Sequence, residues 1–128
     1  MLSNPEYGWC DFTLGNFKGT PSYLTNVPLD TLNAFIDYYC KGEGMATYDE
    51  EGTEFILVIS FFSIYIISIK ETDELYSFPD VRINDLAAEV IADIENNLDD
   101  WESFYCTNKG AQELKDRIQI LKDYLSEE

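Results

Sequence analysis

The sequence contains no histidine, and its eight lysines and arginines are outnumbered by 25 aspartates and glutamates. Without histidine the chain cannot form a Ser-His or Cys-His nucleophile pair, and it cannot form an HExxH zinc site. The GxxxxGK[ST], GxGxxG and GxSxG motifs are also missing, and these motifs bind phosphates or dinucleotides or carry a serine nucleophile. We therefore predict a non-catalytic protein with no cofactor and no catalytic residues.

The scarcity of basic side chains also argues against two classes of partner. A formal net charge of −17 repels the phosphates of nucleic acids and the headgroups of anionic lipids, and no basic stripe offsets it. We expect neither direct nucleic-acid binding nor membrane binding. The first residues lack the basic region and the apolar stretch of a signal peptide, so the expected location is the cytoplasm.

Cysteine is also scarce. Cys10, Cys40 and Cys106 are far apart and show no CxxC spacing, so they match neither zinc nor redox motifs. Each follows an apolar or aromatic residue, which favours buried free thiols in a reducing compartment. A bridge between Cys10 and Cys40, or between Cys40 and Cys106, stays open on spacing alone.

One long uncharged segment covers residues 55–69. As a helix it would reach only about 22 Å, which is short of the roughly 30 Å of a bilayer's hydrocarbon core. Its β-branched and aromatic residues instead favour two strands joined by a tight turn at residues 60–63. Both faces of these strands are apolar. Either the chain covers both faces itself, which we favour, or its helices cover one face and leave the other for a subunit or a partner, which would allow a homodimer through residues 55–69.

The remaining segments predict the fold class. The 128 residues, 45% of them apolar, fit one globular domain over residues 1–128. Periodicity, caps and turn residues predict the following elements: a strand at 9–15, a helix from Pro28 to Lys41 stopped by Gly42, a hairpin of 45–48 with 53–59, a last strand ending near Lys70, a long helix from a cap at Asn84 to Cys106, and a helix over 111–125. The order β-α-β-β-β-α-α predicts an α+β fold, with an antiparallel sheet of about four strands and helices packed mainly on one face.

The negative charge is unevenly distributed. Residues 1–108 hold 20 acids and four bases, whereas residues 109–128 hold five acids and four bases. The long predicted helix carries two runs of acids at helical spacing, and like charges at i, i+4 cost about 0.2–0.5 kcal/mol per pair. Trp101 and Tyr105 lie beside them as aromatic anchors. The predicted partner-binding residues are Asp85, Glu89, Asp93, Glu95, Asp99, Asp100, Trp101, Glu102 and Tyr105.

Two explanations fit this acidity: it keeps the protein soluble, or it presents carboxylates to a basic partner and steers association. In size, acidity and lack of catalytic residues the chain resembles the small immunity proteins of bacterial toxin systems, a likeness of composition that rests on no motif. That resemblance implies an inhibitor that neutralises a basic partner, such as a toxin nuclease or a nucleic-acid-binding protein. The alternatives are a self-assembling structural domain and a small acid/base enzyme that uses carboxylates.

Two groups of acids are candidates for acid/base catalysis or for binding a divalent cation. The carboxylates of an acid/base enzyme would be Glu51 with Glu54, or Glu71 with Asp73. We expect both pairs to lie in exposed turns. The clusters at residues 49–54 and 71–74 offer oxygen ligands for a divalent cation, but neither matches the DxDxDG calcium loop. We predict no specific metal site.

Overall fold

The computed structural model describes residues 1–104 and 111–127 of the chain. The chain begins with three strands, β1 (Leu2–Glu6), β2 (Trp9–Leu14) and β3 (Phe17–Gly19). Helix α1 (Val27–Lys41) precedes four further strands, β4 (Glu43–Asp49), β5 (Glu54–Ser60), β6 (Ile64–Ile69) and β7 (Glu74–Phe78). Three helices follow, α2 (Ile83–Glu95), α3 (Leu98–Ser103) and α4 (Ala111–Ser126).

The strands form two antiparallel sheets, one of order β1-β2-β3 and one of order β4-β5-β6-β7. The α+β class and the four-stranded antiparallel sheet are thus confirmed. The predicted strand at 9–15 is present as β2, but it belongs to the smaller sheet. The fourth strand of the larger sheet is β7, which lies beyond the predicted end of the sheet near Lys70, so that prediction is wrong.

Helix α1 is capped at both ends. The side chain of Asn26 accepts a hydrogen bond from the backbone N–H of Leu29 at 3.3 Å, and Pro28 occupies the first turn, where its missing N–H costs nothing. Gly42 ends the helix with a φ of 92°, and its N–H donates to the carbonyl of Tyr38. Glycine adopts this left-handed conformation without steric cost, and the predicted end of the helix at Gly42 is confirmed.

One face of the larger sheet, here called the inner face, holds most of the core. Its buried positions alternate along β4, β5 and β6, as expected for strands with one buried side. The smaller sheet packs on this face, where the Phe12 ring lies 5.1 Å from Tyr48 and 4.9 Å from Phe55. Helix α1 packs on the same face beside Gly44, where a Cβ atom would lie 1.8 Å from the Ala34 carbonyl oxygen.

The long acidic helix predicted from Asn84 to Cys106 is two helices, so its continuity was wrong. Helix α2 ends at Glu95, and α3 begins at Leu98 after Asn97, whose φ of −132° and ψ of 36° are not helical. Asn84 does not cap α2 either, because the N-cap position is Arg82. The Asn84 side chain instead accepts a hydrogen bond from the Tyr39 hydroxyl, which ties α2 to α1.

The other side of the larger sheet, here called the outer face, is not covered by any other described element. By register its residues are Glu43, Met45, Thr47, Asp49, Glu54, Ile56, Val58, Ser60, Tyr65, Ile67, Ile69, Leu75 and Ser77. Met45 and Leu75 are 62% and 68% exposed, and the apolar residues of β5 and β6 on this side are only half-buried. The preferred interpretation, in which the chain covers both faces of strands 55–69, is therefore wrong for the described residues.

Candidate functional site

Four of the predicted acidic residues lie on α2, and three of them, Asp85, Glu89 and Asp93, form the first stripe at the spacing that the sequence indicates. Asp85 is within 3.9 Å of Arg82. Glu89 accepts a hydrogen bond from the Met1 amino group at 2.7 Å, and Asp93 accepts one from the backbone N–H of Leu2 at 3.0 Å. Two of these carboxylates thus hold β1 against α2, and Asp93 is the less exposed of the pair.

The other acidic residues do not form the second stripe that the sequence predicts, because the break before α3 interrupts the helical spacing. Glu95 pairs with Lys122 of α4 at 2.7 Å. Asp99 and Asp100 are exposed in the first turn of α3, where carboxylates suit the helix dipole. Glu102 is half-buried.

Trp101 is not an exposed anchor, so that part of the prediction is wrong. Its side chain is 1% exposed, and its indole N–H donates to the Asp93 carbonyl oxygen at 3.2 Å. The ring also packs against Phe104, with centroids 5.6 Å apart. Trp101 therefore fixes α3 to α2, which is a structural role. Its predicted companion, Tyr105, lies outside the described residues.

The sheet topology brings together a second acidic surface that the sequence presents as two separate clusters. The β4–β5 turn and the β6–β7 turn lie at the same end of the larger sheet, because Asp49, Glu54 and Ile69 pair across β4, β5 and β6. Together these turns, residues 49–54 and 70–74, hold seven carboxylates and one lysine. We call them the acidic end.

Several carboxylates of the acidic end also shape the turns. Asp49 accepts from the backbone N–H of Glu51 at 2.6 Å, and Glu50 accepts from the Thr53 hydroxyl and from the backbone N–H of Thr20. Glu51, Glu71 and Asp73 are exposed. No ion pair within 4.0 Å joins these acids to a base among the described residues, so their charge is left to solvent or to a partner.

The outer face adjoins the acidic end, and its apolar surface runs from there to the opposite end of the sheet. At that opposite end, Phe61 and Phe62 form the β5–β6 turn and are 78% and 87% exposed. The turn is fixed by Ser60, whose hydroxyl donates to the Ser63 carbonyl at 2.8 Å, so the predicted turn at residues 60–63 is confirmed. Apolar centre, aromatic tip and acidic border together resemble the anatomy of a protein interface.

Other candidate chemistry finds less support in the geometry. Glu51, Glu54, Glu71 and Asp73 are exposed on turns, whereas the carboxyl groups of an acid/base enzyme usually line a concave site. In residues 1–104 and 111–127 no three acidic or cysteine side chains converge as metal ligands. Over the same residues, no helix has the length and apolarity needed to cross a bilayer.

Two of the three cysteines lie in the described residues, and both are free. Cys10 is buried as predicted, and burial raises the pKa of its thiol to about 12. Cys40 is exposed, so the prediction of a buried thiol is wrong there. Cys106 lies outside the described residues.

No family model, curated protein or solved structure matches this chain. We therefore interpret the site from its geometry alone. From the sequence we predicted that the acids of α2 and α3 form a binding surface, but we considered the two acidic turns as separate clusters. Their union was detectable in principle, since in a run of three hairpins the first and third turns lie at the same end of the sheet.

Proposed function

We propose that this chain is a non-catalytic acidic binding protein that neutralises a basic partner. Inhibitors of the immunity-protein type do this, with a bacterial toxin nuclease or a nucleic-acid-binding protein as the target. The observation that carries the proposal is the group of carboxylates at the acidic end with no basic partner within the described chain. Asp99 and Asp100 of α3 add to the negative field.

The physical basis is that a surface with uncompensated charge gains most from a partner of opposite charge. Like charges repel within the folded chain, and a net charge of −17 works against compaction. Complementary charge on a partner would relieve this repulsion and speed the encounter. As part of the proposal the protein acts in the cytoplasm, which the free thiols of Cys10 and Cys40 support.

Affinity capture tests the proposal. The tagged chain is bound to resin, exposed to native lysate at low salt, and eluted with rising salt. The expected result is one basic protein that elutes stoichiometrically at high salt. Recovery of the chain alone, or of an acidic or neutral protein that salt does not release, would contradict the proposal.

A variant set identifies which acids matter. Glu51→Gln, Glu71→Gln and Asp73→Asn together remove three charges from the acidic end. Three changes on α4, Glu113→Gln, Asp116→Asn and Asp123→Asn, remove the same charge from another exposed surface. We expect the first set to weaken capture much more than the second. Equal weakening by both sets would indicate that only the net charge matters.

The open outer face favours a second candidate, a homodimer through strands 55–69. Under this alternative the charge only keeps the assembly in solution. Sedimentation of the purified chain at micromolar concentrations distinguishes the two. A dimer that Ile67→Lys disrupts would support self-assembly, and a monomer would rule it out.

A further inference from the structure

The outer face is an apolar surface that no other described element covers. Two rows of side chains cross all four strands, Met45–Val58–Tyr65–Ser77 and Thr47–Ile56–Ile67–Leu75. A third row, Asp49–Glu54–Ile69, crosses three strands, and a fourth, Glu43–Ser60, crosses two. The first two rows are apolar apart from Thr47 and Ser77. The third carries two carboxylates and is the point where the outer face meets the acidic end.

The area of this face limits what can cover it. Four strands about 4.8 Å apart and seven residues of about 3.3 Å each give a face of about 400 Å². A stable interface buries about 800 Å² on each partner. An occupant of the outer face must therefore also cover a comparable area of the surface around it.

The surrounding surface determines which occupant fits. One border of the face is the acidic end, with seven carboxylates and one lysine. A second copy with its acidic end aligned to this border would oppose carboxylates to carboxylates, and in any orientation it would bring together two molecules that each carry −17. A basic protein would oppose lysines and arginines to those carboxylates, which stabilises the complex and fixes its orientation.

The opposite border supplies an anchor. Phe61 and Phe62 project from the β5–β6 turn with ring centroids 5.5 Å apart, and both are more exposed than any other phenylalanine among the described residues. Exposed aromatic side chains at an interface carry a large share of the binding energy when a partner's pocket desolvates them. The outer face thus has an aromatic anchor at one end and a charged border at the other.

We propose that the outer face, together with the Phe61–Phe62 turn and the acidic end, is the docking surface for a basic protein partner. That partner would present an apolar patch bordered by lysines and arginines. The inference rests on the proposed function and names the surface by which it is carried out. It replaces the acidic side of α2 and α3 as the principal contact, because Glu89, Asp93 and Glu95 are already paired within the chain.

Photocrosslinking at the outer face tests this assignment. The probe is p-benzoylphenylalanine placed at position 75 in place of Leu75, in cells that produce the full chain. Position 24 is the matched control, since Leu24 is also exposed, at 55%, and lies between β3 and α1 rather than on the larger sheet. The expected product is a crosslink from position 75 to one basic protein, and none from position 24.

The crosslinked protein is then purified, and its binding to two charge-matched variants is measured by calorimetry. Met45→Lys with Leu75→Lys alters the outer face, and Tyr7→Lys with Leu24→Lys places the same charge on exposed apolar positions elsewhere. Loss of an interface centre is expected to weaken binding by about 100-fold in the first variant and by less than about threefold in the second. Circular dichroism verifies that both variants fold.

The contrary outcomes are distinct. A crosslink from position 75 to a second copy of the chain would overturn the proposal in favour of a homodimer. Capture of a basic protein without any crosslink at position 75, or with equal binding by both variants, would overturn the docking surface and leave the proposed function standing. Failure to capture any basic protein would overturn both.

Discussion

Buried hydroxyl groups on the inner face of the larger sheet differ in whether they have a partner. The Thr31 hydroxyl donates to the Val27 carbonyl at 2.7 Å and lies 2.5 Å from the Tyr48 hydroxyl. Ser68 is 1% exposed, and its hydroxyl has no hydrogen-bond partner among the described residues. A buried hydroxyl without a partner forfeits its hydration and gains nothing in return.

Substitution at these two positions should therefore have opposite effects. Ser68→Ala is expected to raise the free energy of unfolding by about 1 kcal/mol, because it removes an uncompensated polar group. Thr31→Val should lower it by about 1–3 kcal/mol, because Tyr48 then loses its partner. Urea denaturation measures both. A Ser68→Ala variant less stable than the wild type would indicate that the Ser68 hydroxyl has a partner after all.

The two described cysteines should differ in reactivity. Burial raises the pKa of the Cys10 thiol to about 12, and that thiol is also within 3.7 Å of the Pro21 carbonyl, whereas Cys40 is exposed. Since the thiolate is the nucleophile, iodoacetamide at pH 8 is expected to modify Cys40 and spare Cys10. Peptide mapping by mass spectrometry gives the site-specific rates, with protein in urea as the control. Equal rates in the native protein would show that Cys10 is accessible.

Asp30 predicts one local dependence of stability on pH. Its carboxyl group lies in the first turn of α1, and burial raises its pKa above the ordinary value of 3.8, although a hydrogen bond at Asn26 opposes this. The folded state therefore holds the proton more tightly than the unfolded state. The contribution of Asp30 to stability is complete below pH 3.8 and falls as the pH rises through the raised pKa.

Asp30→Asn removes this dependence. Relative to the wild type, the variant is expected to gain stability between acidic and neutral pH, and the gain should level off above the raised pKa. Denaturation of both proteins from pH 3 to pH 7 gives the difference. A relative stability that falls over this range would show that charge–dipole attraction at the helix N-terminus outweighs burial.

At the scale of secondary-structure elements, α1 lies very close to β4. Gly44 allows it, because a Cβ atom there would lie 1.8 Å from the Ala34 carbonyl oxygen. The main chain of a packed helix and strand cannot shift by that much without repacking both. Gly42, two residues earlier, differs because nothing lies within 4 Å of its Cβ position.

Alanine substitutions at Gly44 and Gly42 distinguish the free-energy cost of a steric clash from the cost of a left-handed backbone conformation. Gly44→Ala is expected to lower the free energy of unfolding by about 3 kcal/mol or more, as overpacking against backbone does. Gly42→Ala should cost about 1–2 kcal/mol, which is the penalty of its left-handed conformation. Thermal denaturation ranks the two. A Gly44→Ala variant as stable as Gly42→Ala would show that α1 can move away from β4.

The sequence predicted those elements whose apolar residues follow a regular period. Strands β2, β4, β5 and β6 and helices α1 and α4 have such patterns, and each is present. Strands β1 and β7 bury only Leu2 and Phe78, so alternation gives almost no signal for them. These strands are stabilised by pairing with a neighbouring strand. The sequence of one segment alone does not show which strand it pairs with.

The break between α2 and α3 was missed for a related reason. Ile94, Leu98 and Trp101 continue the helical spacing across it, because both helices pack on the same core. The signal that was available is the pair Asn96–Asn97, since asparagine competes with the helix backbone and favours caps. We expected Trp101 to be exposed because acids surround it in the sequence. Those acids lie on the exposed side of a short helix, and Trp101 lies on the buried side.

At the scale of the whole molecule, charge and apolar surface are separated. The acidic end lies at one end of the larger sheet, the Phe61–Phe62 turn at the other, and the outer face between them. The sequence predicted that the chain is acidic and that strands 55–69 are apolar on both sides. The two features border each other because the pairing of β4 to β7 places the two acidic turns that flank residues 55–69 at one end of the sheet.

The proposed role of the acidic end is to bind a basic partner. The dissociation constant of the captured basic protein, measured by calorimetry from 50 to 500 mM NaCl, tests this role. Since salt screens charge pairs at an exposed border, the affinity is expected to fall by about 100-fold over this range. An affinity that does not change with salt would contradict it.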